Sequence, residues 1–257
     1  MSQLSDNLSR VEQSIADACR AAGRGREVVE LMAVSKTYPA ETIAEAADLG
    51  LALFGENRVQ EFAGKAAALE ALRSRAEKPI RIHLIGHLQS NKASKAAEIF
   101  DAVDSLDSLR LARRLDEAAE KLGKKLPVLV EVKLSPEETK EGLEPESRDA
   151  AELFEALPDL TSLEMRGLMT IAPWGAEERV TRGCFRSLRE WRDRWAAQHH
   201  RLNFDVLSMG MSGDFPLAIA EGATRIRVGT AIFGKRAPYP PPQRSGPIAG
   251  EPGMGPA

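Results

Sequence analysis

The sequence predicts an α/β chain folded as one closed (β/α)8 barrel. Eight short apolar runs alternate with amphipathic helical stretches along most of its 257 residues. Strict strand–helix alternation implies parallel strands joined by crossover helices. Eight such units within about 235 residues match the size of a single barrel. A doubly wound open sheet is the alternative that the alternation leaves standing.

The chain opens with Leu4, Leu8, Val11, Ile15, Ala18 and Ala22 at intervals of three or four, one apolar face of a helix over 3–22 that Gly23 and Gly25 stop. Strands are expected at 28–36, 51–57, 80–86, 100–106, 127–134, 163–171, 205–210 and 224–233. Helices are expected between them, near 39–49, 57–75, 89–98, 107–122, 145–156, 177–199 and 213–221. Pro39 stands at a first helical position with Glu41 in the first turn, and Asp107 and Ser212 read as N-caps. The eighth run leads to Lys235-Arg236 with no helix after it, so the N-terminal helix is expected to cover the gap between the last and first strands. Residues 237–257 hold seven prolines and four glycines, too few apolar groups to bury a core, and are expected to be a disordered tail on a single domain spanning 1–236.

Composition excludes several function classes. Thirty-five basic residues against thirty-eight acidic ones leave a net charge of −3, with no global field to attract nucleic acid or an anionic membrane. No apolar run approaches the roughly 18 residues of a membrane span. The polar start, 1–10, lacks the apolar stretch of a secretory signal, which leads us to expect a cytoplasmic protein. Cys19 and Cys184 fall inside helical patterns and read as small core thiols, and no metal site is expected. The stripe Val180, Cys184, Leu188, Trp191 and Trp195 reads as core packing, while Glu177, Glu178, Glu190 and Asp193 interleave with six arginines on a mixed-charge face. His199-His200 ends that helix, where cations suit the dipole.

Three features carry chemistry. Side chains alternate across a strand, so Ile226 and Val228 share one face and Arg225 and Arg227 the other, which in a barrel points inward. A guanidinium there needs an acceptor, either a carboxylate from a neighbouring strand or a ligand. Lys36 continues the face of Met32 and Val34 toward the strand's C-terminal end, the rim where barrel active sites are built. Barrel closure brings it beside the last strand and Arg227, the company of an amine nucleophile toward a carbonyl. Finally, the turns at 208–214 and Gly229-Thr230 follow strands seven and eight, the usual phosphate cradle of this barrel. His83 shares the face of Ile85 and reads as a hydrogen-bonded core histidine.

The same residues carry a resemblance. Ala33-Val34-Ser35-Lys36, the segment 54–61 (FGENRVQE), the segment 83–92 (HLIGHLQSNK), the segment 166–171 (RGLMTI), 207–212 and 225–234 follow one another in order. Together they resemble the pyridoxal phosphate homeostasis protein family, also known as the YggS/PROSC family, over nearly the whole expected barrel. The resemblance implies a barrel like the N-terminal domain of alanine racemase that binds pyridoxal 5′-phosphate, with Lys36 joined to the cofactor aldehyde as a Schiff base. It also implies Arg227 against the pyridine nitrogen, phosphate contacts from Ser208, Ser212, Gly229 and Thr230, and Asn57 beside Lys36. Lys140 matches a loop lysine that in the family contacts cofactor during transfer. Ile82 departs from the family's usual tryptophan and reads as a packing change.

The function so implied is intracellular storage and delivery of pyridoxal phosphate, with pyridoxal-phosphate-dependent apo-enzymes as recipients, in a monomer without robust turnover of its own. An arginine opposite the ring nitrogen gives up no proton, which leaves the ring a weak electron sink. The alternative is an amino-acid racemase of the alanine racemase type. That enzyme needs a second, mostly β domain and an opposing tyrosine, and residues after 234 do not read as such a domain, although Tyr38 lies close to Lys36. A third reading is a class I aldolase-like barrel whose lysine takes substrate directly.

Overall fold

The computed structural model describes residues 2–73, 79–135, 137 and 141–234. Eight parallel strands close into a barrel in chain order: β1 (Glu30–Val34), β2 (Leu53–Glu56), β3 (Arg81–Leu84), β4 (Ala102–Leu106), β5 (Leu126–Glu131), β6 (Leu163–Met169), β7 (Val206–Met211) and β8 (Arg225–Val228). The helices are α1 (Gln3–Ala21), α2 (Ala40–Asp48), α3 (Val59–Arg73), α4 (Ala93–Ile99), α5 (Leu109–Lys121), α6 (Arg148–Ala156), α7 (Glu178–Gln198), α8 (Phe215–Ala220) and α9 (Thr230–Phe233). Closure pairs β1 with β8, Met32 opposite Arg227. The open sheet is thereby excluded.

Alternation sorts the strands as expected. Leu31, Ala33, Phe54, Ile82, Leu84, Val128, Val130, Leu207, Met209, Ile226 and Val228 pack outward into one core shared with the helices. Met32, Val34, Leu53 and Ile85 form a separate cluster inside the barrel. Ile82 is wholly buried in the outer core, as a packing residue. Cys19 and Cys184 are buried free thiols. Gly210 has φ +94°, and a Cβ there would lie 2.6 Å from the Ala218 Cβ, so only glycine lets α8 pack this close to β7.

Several boundaries need correction. The eighth run does not stay extended to 233: β8 stops at Val228, and 230–233 form the one-turn helix α9. The N-terminal helix still lies over this seam, where the Asn7 amide donates to the Ile232 carbonyl at 2.9 Å. Pro39 is the N-cap of α2, not its first residue. Ser108 rather than Asp107 caps α5, accepting from the Leu111 N–H, and Asp214 rather than Ser212 occupies the cap position of α8. Val180 is exposed, and the buried face of α7 runs through Thr181, Cys184, Phe185, Leu188 and Trp195. Three arginines of α7, Arg182, Arg186 and Arg189, converge on the buried Glu221 after α8, so part of the expected solvated face is a helix-to-helix anchor. His199 stacks on Phe154, and burial holds its imidazole below the usual histidine range, against the cationic cap expected there. The tail 237–257 and Lys140 lie outside the described residues, among which no helix is long and apolar enough to cross a membrane.

Candidate functional site

The barrel interior has two unlike ends. At the N-terminal end, Arg225 donates to Glu30 (Nε to Oε2, 2.8 Å) and to Asp104 (3.1 Å), and Asp104 also holds His83 Nδ1 at 2.9 Å. Arg81 closes the network on Glu30 at 2.6 Å. Burial opposes every charge here, yet His83 and Arg225 hold the Asp104 carboxyl below its usual range, and Asp104 and Glu30 raise the Arg225 guanidinium above its own. For Arg225, the carboxylate acceptor is therefore the correct one of the two alternatives, and His83 is the hydrogen-bonded core histidine expected.

Two residues higher on the same face, Arg227 meets no carboxylate within ion-pair distance among the described residues. Three of its N–H groups are used: NH1 donates to the Ser208 carbonyl (2.7 Å) and hydroxyl (2.8 Å), and NH2 to the Thr170 carbonyl (2.8 Å). Of the five donors of a guanidinium, two remain. Burial pulls this guanidinium down, with Glu131, Asp104 and Asp214 offsetting only part of the loss. Ser208 lies inside β7, wholly buried, and its hydroxyl accepts from Arg227, which leaves its own O–H to donate.

Lys36 stands in the turn just beyond β1, four residues past Met32, the partner of Arg227. That offset puts Lys36 beyond the strand end, on the C-terminal side of the Arg227 level. The turn is clamped from both sides. Lys65 of α3 pairs with Glu56 at 2.8 Å and donates to the carbonyls of Ser35 (3.3 Å) and Tyr38 (2.8 Å), while Glu56 accepts from the Ser35 hydroxyl at 2.6 Å. Thr37 sits at φ +71°, a left-handed conformation that costs a β-branched residue ~1–2 kcal/mol, and its N–H is held by Glu61. On the other side, the Tyr38 hydroxyl donates to the Gly234 carbonyl (3.0 Å) and its ring packs on Phe233. The turn bearing Lys36 is thus tied to the loop after β8.

Around this rim, the remaining expected residues are placed as follows. Gly229 packs against the end of β1, where a Cβ would lie 3.2 Å from the Val34 carbonyl. Among the described residues, the backbone N–H groups of Ser212, Gly213, Gly229 and Thr230 donate to no protein acceptor. Asn57 follows β2, and its Oδ1 is buried without a hydrogen-bond partner. A cavity of about 260 Å³ lined by Asn57, Gly86, His87, Glu131 and Lys133 opens on the rim, and another of about 430 Å³ lies at the ends of β6 and β7, beside Gly213 and the exposed Trp174. Neither is lined by Lys36, Gly229 or Thr230, which stand on the β8–β1 side of the mouth.

Sequence reasoning missed Glu131. It ends β5 on the inward face, is 6% exposed, and burial pushes its carboxyl up to about 7, with Arg227 opposing and Asp107 adding to the shift. The run Val128-Leu129-Val130-Glu131-Val132 carried the signal, an acid on the inward parity of an otherwise apolar strand.

Comparison with known proteins assigns the family. Residues 7–237 match the family model for the alanine racemase N-terminal domain. The pyridoxal phosphate homeostasis protein of Pseudomonas aeruginosa is 43% identical over 236 residues, covering 92% of this chain and 97% of that protein. PipY of Synechococcus elongatus PCC7942, solved with pyridoxal phosphate bound, is 41% identical with a TM-score of 0.75, covering 90% of this chain and 100% of that one. Alanine racemase of Clostridium difficile 630 shares the fold at 17% identity and a TM-score of 0.65, and this chain spans 58% of its length. With a closed barrel, a clamped rim lysine and relatives matched from end to end, the chain belongs to the pyridoxal phosphate homeostasis protein family.

Proposed function

We propose that this protein binds pyridoxal 5′-phosphate at the C-terminal mouth of its barrel and holds it for delivery to apo-enzymes in the cytoplasm, without robust turnover. The observation that carries the reading is the placing, at the ends of the adjacent strands β7, β8 and β1, of one clamped lysine turn, two loops of free backbone N–H groups and a guanidinium with two spare donors.

The residues present fit the group. Four unused N–H groups suit a phosphate, because backbone donors at turn and helix starts bind anions without moving. The close packing of Gly229 on Val34 brings one of these loops to the lysine turn. The buried, unpartnered Asn57 Oδ1 supports a ligand donor on the β2 side. When bound, the cofactor supplies an aldehyde that condenses with amines and an aromatic ring that withdraws electrons.

The chain's own residues then divide the work. Lys36 offers the amine, and Lys65, Glu61 and Tyr38 hold its turn in one geometry. Ser212, Gly229 and Thr230 receive the phosphate, with Asn57 alongside. Ser208 and Thr170 orient Arg227, which presents N–H donors to a ring nitrogen but no transferable proton, so that nitrogen stays neutral. This arrangement favours retention over carbanion chemistry. Tyr38, the tyrosine nearest Lys36 in the chain, has its hydroxyl committed to the Gly234 carbonyl, which argues against its use as an acid in racemisation.

The test is borohydride reduction of the purified, cofactor-loaded protein, followed by peptide mapping. Labelling at Lys36, with loss of visible absorbance and of label in Lys36→Ala, is the expected result; unchanged colour in that variant overturns the assignment. Incubation with single L-amino acids tests the carrier role, and conversion to D-isomers well beyond one per chain would overturn it.

A further inference from the structure

The mouth has a second polar sector, built by β3, β4 and β5, that the proposed cofactor site does not use. His87 follows β3, Asp107 follows β4, and Glu141 lies in the segment after β5. His87 Nδ1 lies 3.0 Å from Asp107 Oδ2 and 3.8 Å from Glu141 Oε2, and all three donor atoms fall within 4.8 Å of one another. Asp107 Oδ1 is held separately by the Ser108 hydroxyl, which leaves Oδ2 to face the histidine.

We infer that His87, Asp107 and Glu141 form a binding site for a divalent first-row transition ion at the edge of the 260 Å³ cavity. Ligand bonds of ~2.0–2.2 Å place donors around one ion roughly 3–3.6 Å apart, and the two histidine separations bracket that range. A His87–Asp107 hydrogen bond alone explains two of the three residues. It leaves Glu141 as a further carboxylate brought to the same point, and it leaves Glu131.

Glu131 is the independent observation. Its side chain is 6% exposed, lines the same cavity as His87 and Glu141, and makes no hydrogen bond or ion pair among the described residues. Three carboxyl groups therefore share this sector with one imidazole. Lys133 on the same wall is drawn toward Glu144, 4.0 Å away, and Arg227 is held by Ser208 and Thr170. A bound cation would pair with these carboxyl groups, which no lysine or arginine reaches within ion-pair distance among the described residues. An imidazole with carboxylates suits zinc, cobalt or manganese, and three protein donors leave a coordination position open toward the cavity.

The experiment uses full-length protein, freed of metal by a chelator and without added cofactor, so its outcome is separate from that of the pyridoxal phosphate test. Titration with Co2+, followed by displacement with Zn2+, is read by visible absorption and calorimetry. We expect one ion per chain, a cobalt spectrum that bleaches on zinc addition, and affinity weakened at least about tenfold in His87→Ala and in Asp107→Asn. Glu141→Gln and Glu131→Gln weaken it less, by a few fold up to about tenfold. His87 and Glu141 are exposed, so their variants fold, and circular dichroism checks this. Binding well below one ion per chain, or His87→Ala binding like the parent, overturns the site; loss of binding in His200→Ala in its place would do the same.

Discussion

Arg225 and Arg227 stand two residues apart on one face of one strand, both almost wholly buried, and they do opposite things. Arg225 is paired with two carboxylates, Glu30 and Asp104, and its charge is held more firmly than in water. Arg227 is held by neutral oxygens, and the cost of burying its charge is only partly offset. The difference teaches how this barrel separates stability from binding. Charges at the N-terminal end satisfy one another, while at the C-terminal end polar atoms are positioned but left with spare capacity. Spare donors on a rigid frame are what a ligand needs.

The sharpest way to break this comparison is to remove each arginine in turn. Arg225→Met takes the guanidinium away from two carboxylates, one of them fully buried and left with His83 alone, and should cost about 3 kcal/mol in urea unfolding at pH 7 while leaving pyridoxal phosphate affinity within a few fold. The same network sets an acid limit. Glu30 and Asp104 have carboxyl groups held below their unfolded values, so their contribution is complete above about pH 4 and is lost as pH falls further through the folded values. Arg225→Met should flatten that acid loss.

Next in size is Glu131→Gln. Glu131 keeps its proton in the folded state up to about pH 7, whereas the unfolded chain releases it near 4.3, so its contribution is present at pH 4 and is lost as pH rises to 7. The variant should exceed the parent by about 1–3 kcal/mol at pH 8 in chelator-treated protein, with the difference shrinking toward pH 5. The two ends of the barrel thus answer pH with opposite signs, which thermal unfolding across pH 4–8 would show. Smaller for stability is Arg227→Met. No ion pair is broken, so unfolding should shift less, by about 1–2 kcal/mol for the buried Thr170 and Ser208 oxygens that lose a donor, while pyridoxal phosphate affinity falls about 10- to 100-fold. Equal losses of stability in the two arginine variants would end the distinction. The smallest effect is expected at Ser108→Ala, about 1 kcal/mol for the lost cap of α5, with cofactor binding unchanged.

Much of this site was legible before any coordinates. Alternation in 224–230 aimed both arginines inward, and the same parity put Lys36 in line with Met32 and Val34. The turns after strands seven and eight were recognisable from their small and hydroxyl residues. What was not legible is how partners are shared. The chain places Ser208 just before a serine–glycine turn, but only the β7–β8 register sets it beside Arg225 with its hydroxyl accepting from Arg227. The clamp on the lysine turn was equally hidden, since Lys65 and Glu61 lie on a helix whose sequence gives no sign of reaching back to residues 35–38.

The sequence by itself determined the order of elements, which face of each strand enters the barrel and which side chains carry charge there, because alternation is a local property of the backbone. Only the tertiary structure decided which charge meets which. Glu30 lies 195 residues from Arg225 and Asp104 lies 121 away, and they become its acceptors when β1 and β8 pair and the lumen closes. Closure also decides that Arg227, one layer higher, is left with donors to spare. A contact between distant strands depends on register and stagger around the whole ring, and no short stretch of chain encodes that.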